Sequence, residues 1–256
     1  MQRRAALLSV LALAGAWGLG ACHQREPRVV LIGDSTMADY PPARAPLSGW
    51  GQALRERLRG KAEVINRAVP GSSTLSYSRA NWQQTVTRMR KGDLLLIQFG
   101  HNDERSDPWH NTKPRGQYRH LLTRFVTDAS DAGAIPVLIT PIPRYRFSEG
   151  RVSDTHGHYA ESVRGLAREK GVPLVDLATL AAEEMERQGE IHVRPWYMLY
   201  FDGHDDVHLT NIGAKNMAIM VESELVRHGL LSVRFLRFFV CQRVGLMLPV
   251  FPHVAR

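Results

Sequence analysis

Short apolar runs recur along this chain, each ended by a glycine, a proline or a polar residue and each followed by a longer stretch with helical spacing. The runs are residues 28–32 (Arg-Val-Val-Leu-Ile), 63–66 (Glu-Val-Ile-Asn), 93–98 (Asp-Leu-Leu-Leu-Ile-Gln), 134–140 (Ala-Ile-Pro-Val-Leu-Ile-Thr) and 172–176 (Val-Pro-Leu-Val-Asp). Their length and their content of Val, Ile and Leu suit strands buried on both faces. Helical patterns fill residues 50–58, 81–90, 118–132, 153–169 and 178–188, and Thr210 caps a last helix that reaches residue 227. Gly60, Gly133 and Gly171 stand where three of these patterns stop, as left-handed closing residues do. Residues 71–74 read as a loop. Strand–helix alternation of this kind makes βαβ units with right-handed crossovers. The expected architecture is therefore an α/β fold, a three-layer α/β/α sandwich around a parallel sheet of five strands.

The chain has 256 residues, enough for one sizeable core. With 44% apolar and 23% charged residues its composition is that of a globular protein. The net charge of +8 is spread along the sequence without a run of like charges. No zinc-finger spacing or RNA-binding aromatic motif accompanies it, so nucleic acid is not an expected partner. A basic surface near acidic polysaccharide or anionic membrane is the favoured reading.

Arg3 and Arg4 precede an apolar stretch over residues 5–19, then Gly20, Ala21 and Cys22. A basic start, a short apolar core and a small-residue end describe an export signal. The stretch is shorter than the ~20 residues a spanning helix needs. Leu19-Gly20-Ala21-Cys22 also resembles a bacterial lipobox, which implies lipidation of Cys22 and an envelope protein held by a lipid anchor; a plain secretory signal cut nearby is the other reading. With only 2 cysteines, Cys22 and Cys241, neither a disulfide framework nor a thiolate metal site is expected. The expected division is a leader over residues 1–22, a folded domain over 23–231 and a tail over 232–256. The tail is apolar but interrupted by Arg234, Arg237 and Arg243. It reads equally as a packed segment, a membrane-surface element or an end that never packs.

Sites in open parallel sheets lie beyond the carboxyl ends of the strands. Polar clusters follow three of the runs directly: Gly33-Asp34-Ser35, Gly100-His101-Asn102-Asp103 and Thr140-Pro141. Ser35 is placed to expose its hydroxyl on a turn, although Asp34 or Ser35 could instead cap a helix. A serine hydroxyl becomes a useful nucleophile only when a base takes its proton. Asp205-Asp206-Val207-His208 offers one: a turn sets Asp205 against one ring nitrogen of His208 and leaves the other to face Ser35. Acyl transfer also needs donors for an oxyanion. The Ser35 and Gly71 N–H groups and the Asn102 side-chain amide are candidates, with Asp34 and Asp103 in supporting roles.

These blocks, in this order, resemble those of the SGNH (GDSL-like) hydrolases. The wider strings GDSTMA (33–38), NRAVPGSS (66–73), FGHND (99–103) and DDVHLT (205–210) are similar to the rhamnogalacturonan acetylesterase branch. The resemblance spans residues 28–227. It implies a flavodoxin-like sheet and deacylation of an acylated saccharide, with acetyl the expected acyl group, through an acyl-serine intermediate. It carries over Ser35 as nucleophile, Gly71 and Asn102 as oxyanion donors, and Asp205 with His208 as partners, with no metal or cofactor. The chain departs from the pattern in the stretch after Gly71, Ser-Ser-Thr-Leu-Ser, where many pectin-directed relatives carry an arginine.

Two rival readings use the same residues. Asp34, Asn102, Asp103, Asp205 and His208 are all ligand types for a metal-dependent phosphoesterase, but Gly-His-Asn-Asp is not the Gly-Asn-His-Asp order of that class. A non-catalytic glycan-binding envelope lipoprotein would not need Ser35, Asp205 and His208 together. The pentapeptide GxSxG of α/β-hydrolases is absent. Trp50 and Trp82 read as packed on helices, Trp109 and Trp196 as candidates to stack on sugar or to pack in a lid, and His156 and His158 as solvated.

Overall fold

A computed structural model describes residues 28–231. The leader, Cys22, Cys241 and the tail lie outside the described residues. Strands β1 (Arg28–Gly33), β2 (Glu63–Asn66), β3 (Leu94–Gln98) and β4 (Ile135–Ile139) are followed by an antiparallel hairpin of β5 (Phe147–Ser148) and β6 (Arg151–Val152). Strand β7 (Leu174–Val175) completes a five-stranded sheet of order β2-β1-β3-β4-β7 with every pair parallel. The chain first builds outward from β1 to β2, then returns past β1 to add β3, β4 and β7. The order reverses between β1 and β3, so the loops leaving these two strands part and open a crevice.

Helices α1 (Trp50–Arg57), α6 (Leu177–Gln188) and α9 (Asn211–Arg227) cover one face; α2 (Thr74–Ala80), α3 (Trp82–Val86), α4 (Arg119–Asp131) and α5 (Gly157–Lys170) cover the other. Two four-residue helices, α7 (Glu190–Val193) and α8 (Leu199–Asp202), lie in the connection to α9. The period of two along each strand sorts the core into two layers. Val29, Leu31, Leu94 and Leu96 pack with Trp50, Leu54 and Val221, whereas Val30, Ile32, Leu95 and Ile97 pack with Tyr77, Trp82 and Phe125. All of these are at most 3% exposed, so truncating Leu96 or Ile97 to alanine would cost about 2–5 kcal/mol.

The helices that flank the crevice are tied to the sheet by close contacts. A Cβ on Gly49 would stand 2.1 Å from the Ala38 carbonyl oxygen, so α1 starts against the turn that follows β1. Helix α9 is held to α1 by Glu222, almost fully buried, which accepts from Arg57 Nε at 2.7 Å.

The expected strands and the three layers are present. The boundaries differ in three places. The helix expected at 81–90 is the shorter α3, and a further helix, α2, precedes it, beginning at the end of the stretch read as a loop; Ser73 caps α2 and exchanges hydrogen bonds with Ser76. The helix expected from 153 begins at Gly157, because residues 147–152 form the hairpin. Its turn residues Glu149 and Gly150 have φ of 52° and 76°, the left-handed pair that matches hairpin twist. The helix expected from 118 begins at Arg119, after a wide turn over Pro114–Tyr118.

Candidate active site

Ser35 sits two residues beyond the end of β1. At Gly33 a Cβ would come within 2.6 Å of the Gln98 carbonyl oxygen on β3, so only glycine lets the chain leave the sheet this closely. The Asp34 carbonyl then accepts from the Met37 and Ala38 N–H groups at 3.2 and 3.1 Å, and Asp34 Oδ1 accepts from the Thr36 N–H and hydroxyl at 2.9 and 2.8 Å. Behind the turn, Trp50 Nε1 donates to Gln98 Oε1 at 2.7 Å. The Tyr40 hydroxyl donates to the Ser35 carbonyl at 2.9 Å. Ser35 is thereby held by buried partners while its Oγ reaches a cleft of about 1010 Å³.

Gly71 and Asn102 line the same cleft, from the loops after β2 and β3. Gly71 has φ of 78°, a conformation that favours glycine. Asn102 Nδ2 donates to the Ser72 carbonyl at 3.1 Å, which fixes the amide and leaves its second hydrogen free. Among the described residues neither the Ser35 nor the Gly71 N–H has an intramolecular acceptor. Asp103 points away from the cleft. Its carboxylate accepts from the Thr74 N–H and hydroxyl at the start of α2, and from the Thr112 hydroxyl at 2.8 Å.

The other half arrives from the far end of the sequence. His208 Nε2 lies 3.0 Å from Ser35 Oγ, and His208 Nδ1 lies 2.8 Å from Asp205 Oδ2. A carboxylate only accepts, so Nδ1 carries the proton and Nε2 is free to receive the one on Ser35. Asp205 Oδ1 accepts from the Val207 and His208 N–H groups at 3.1 and 3.0 Å, closing the turn between the two residues. The segment is clamped by backbone bonds: Met198 N–H to the His208 carbonyl, Ser48 N–H to Leu209, Thr210 N–H to Trp196 and Asn211 N–H to Pro46.

The four carboxyl and imidazole environments diverge. Burial raises Asp34 to about 6, partly offset by the Thr36 hydrogen bonds. Burial likewise raises Asp103 to about 7. For Asp205, burial is outweighed by the hydrogen bonds from His208 and Val207, which hold it at about 2. The hydrogen bond to Asp205 lifts His208 above its usual value, against its partial burial. The Asp205–His208 pair therefore favours the imidazolium that accepts a proton, while Asp34 and Asp103 have little exposure and stand behind the loops they brace.

Two residues fall elsewhere than the sequence reading put them. His156, expected to be solvated, is 5% exposed and packs edge-on against His101 with ring centroids 4.3 Å apart. None of the four ring nitrogens has a hydrogen-bond partner. Burial lowers His156 to about 4 and holds His101 well below its ordinary value. Trp196 is 3% exposed in the core, so it offers no face to a sugar. His158 is exposed, as expected, and bonded to Glu161. Arg144, not singled out from the sequence, also lines the cleft and pairs with Glu104 and Asp206; the Thr140-Pro141 stop after β4 was its only signal. Among the described residues no three His, Cys, Asp or Glu side chains converge as a metal-binding group. Asp34 and Asp103 are committed to threonine donors instead.

A hydroxyl bonded to an imidazole, a carboxylate on the far ring nitrogen and unengaged N–H donors alongside form an arrangement competent for acyl transfer. Known proteins resemble this chain over most of its length. The family model described as "GDSL-like Lipase/Acylhydrolase family" matches residues 31–215. A rhamnogalacturonan acetylesterase of Bacillus subtilis, RhgT, is 36% identical over 79% of this chain and 91% of its own. A probable rhamnogalacturonan acetylesterase of the same organism, YesY, is 31% identical over 79% of this chain and 94% of its own. Among solved structures, the Bacillus subtilis protein YXIM superposes with a TM-score of 0.72 at 27% identity; the match covers 80% of this chain and 57% of that one. An acetylxylan esterase from Geobacillus stearothermophilus superposes with a TM-score of 0.60 at 18% identity, over 78% of this chain and 94% of its own, which speaks to the fold alone.

Proposed function

The chain belongs to the GDSL-like lipase/acylhydrolase family, and from that footing we propose that it is a serine esterase that removes acetyl groups from a carbohydrate. The observation that carries the reading is the 3.0 Å contact between Ser35 Oγ and His208 Nε2, backed by Asp205. Ser35 Oγ attacks the ester carbonyl as its proton passes to His208 Nε2. The carbonyl oxygen takes up negative charge against the Ser35 and Gly71 N–H groups and the free hydrogen of the Asn102 amide. His208 then gives the proton to the departing sugar oxygen, which leaves an acetyl group on Ser35. Water repeats the sequence: His208 takes its proton, the hydroxide adds to the acyl carbon, and acetate departs as Ser35 recovers its hydrogen. Asp205 stays ionised throughout, fixing the tautomer of His208 and stabilising its charge.

Two relatives above 30% identity carry the name rhamnogalacturonan acetylesterase, so acetylated rhamnogalacturonan is the first polymer to try, with acetylated xylan as the contrast. Acetate release by the wild type and by Ser35→Ala is the test. Release that stops in the variant, with a covalent mark on Ser35 after organophosphate treatment, supports the reading; release that survives the substitution sinks it. For location, residues 1–22 support export with attachment through lipid on Cys22. Lipid labelling of the wild type and its absence from Cys22→Ala is the corresponding check.

A further inference from the structure

Of the tryptophans among the described residues, Trp50, Trp82 and Trp196 are at most 3% exposed, whereas Trp109 is 53% exposed. An open indole forgoes apolar burial, so a loop that displays one in a fixed pose needs a reason. This loop is fixed. Asp107 Oδ1 accepts from the Trp109 and His110 N–H groups at 3.2 Å each and contacts the His110 ring nitrogen at 2.7 Å, while Oδ2 accepts from Arg105 Nε at 2.9 Å. The loop is closed at its base by Arg105 N–H to the Asn102 carbonyl and Thr112 N–H to the Asp103 carbonyl. The Arg79 guanidinium lies 5.1 Å from the ring centroid, steadying the indole from one side.

The position is as informative as the exposure. The loop springs from Asn102 and Asp103, and Arg105 on it lines the cleft. Arg79 stands on α2, whose cap Ser73 follows Gly71 by two residues. A pyranose ring presents a face of C–H groups that suits the electron-rich face of an indole, and its hydroxyls stay in water at the edge.

We propose that Trp109 is a stacking platform for a pyranose ring of the polysaccharide where it runs out of the cleft, beyond the acetylated unit held at Ser35. The inference rests on the carbohydrate-esterase reading. The platform acts on long substrates only, because a small ester reaches Ser35 without touching it.

The test compares kcat/KM on an acetylated polysaccharide with kcat/KM on 4-nitrophenyl acetate for wild type, Trp109→Ala and Trp109→Phe. The ratio of polymer to small ester should fall roughly 3- to 10-fold in Trp109→Ala, mainly through KM, and be largely restored in Trp109→Phe. Binding of the deacetylated polysaccharide to Ser35→Ala should weaken in parallel when Trp109→Ala is added. An unchanged ratio overturns the proposal, as does a parallel loss on both substrates, which would make Trp109 a support of the loop. Loss of the esterase reading itself would show separately, as hydrolysis that survives Ser35→Ala.

Discussion

Ser35 leaves a strand buried on both faces, and its neighbours Asp34, Thr36 and Met37 are fully buried. His208 belongs to no strand or helix; its side chain is 35% exposed and that of Asp205 24%. The donor half of the site is positioned by the sheet itself: glycine against the β3 backbone, a buried tryptophan on Gln98, and Asp103 gripping the start of α2. The base half is positioned by hydrogen bonds to segments distant in sequence, from Pro46 and Ser48 on one side and Trp196 and Met198 on the other. Rigid packing suits donors that must wait in place for a developing charge. A half-exposed, hydrogen-bonded segment suits an imidazole that must gain and lose a proton twice in each turnover.

The contrast can be broken by substitution. Asp205→Asn should give the largest loss, a fall in kcat of about 10⁴, because the amide no longer dictates the tautomer of His208. It should also move the acid limb of kcat/KM to lower pH, since Asp205 is what raises His208; a limb that stays in place would remove Asp205 from its role. Asn102→Ala, on the donor side, should cost about 10²–10³ in kcat with KM little changed, and steady-state kinetics on one soluble ester decides it.

The buried imidazoles give a third, smaller effect, read in stability. His156 titrates lower folded than free, at about 4 instead of 6.5, so the unfolded chain binds more protons between those values. Its contribution to stability is complete above pH 6.5 and is lost as pH falls toward 4, by roughly 3 kcal/mol. His101, also depressed, adds in the same direction. Melting temperature should therefore drop steeply over this window, and His156→Phe, which keeps the edge-on packing, should flatten the curve; an identical slope would discount the pair. The smallest effect is expected at the cap beside the base. Thr210 Oγ1 accepts from the Ile212 and Gly213 N–H groups and donates to the Pro195 carbonyl at 2.6 Å. Thr210→Ala should cost about 1 kcal/mol, a fall of roughly 2–4 °C in Tm by calorimetry.

Much of this organisation was legible from side-chain pattern. The strands showed because residues such as Val29 to Ile32 and Leu94 to Ile97 are apolar without interruption, which a sheet covered on both faces requires. Helix α2 did not, because Thr-Leu-Ser-Tyr-Ser-Arg-Ala has no apolar stripe and its cap uses Ser76 where glutamate would have been recognised. The hairpin of β5 and β6 was hidden for the same kind of reason: two residues per strand are too few for a period, and Glu149-Gly150 was its only signal. The burial of His156 and Trp196 left no local trace at all.

By itself the sequence determined the layered fold, the strands whose ends carry chemistry, and the residues able to serve as nucleophile, base and donors, since these follow from local periodicity and from the chemistry of each side chain. Only the tertiary structure decided that a hydroxyl and an imidazole 173 positions apart stand 3.0 Å from one another, that Asp34, Asp103 and Asp205 ionise so differently, and that one tryptophan of four described is left open. Those outcomes depend on which segments meet and how much water they exclude, and neither distance nor dielectric is written in the order of residues.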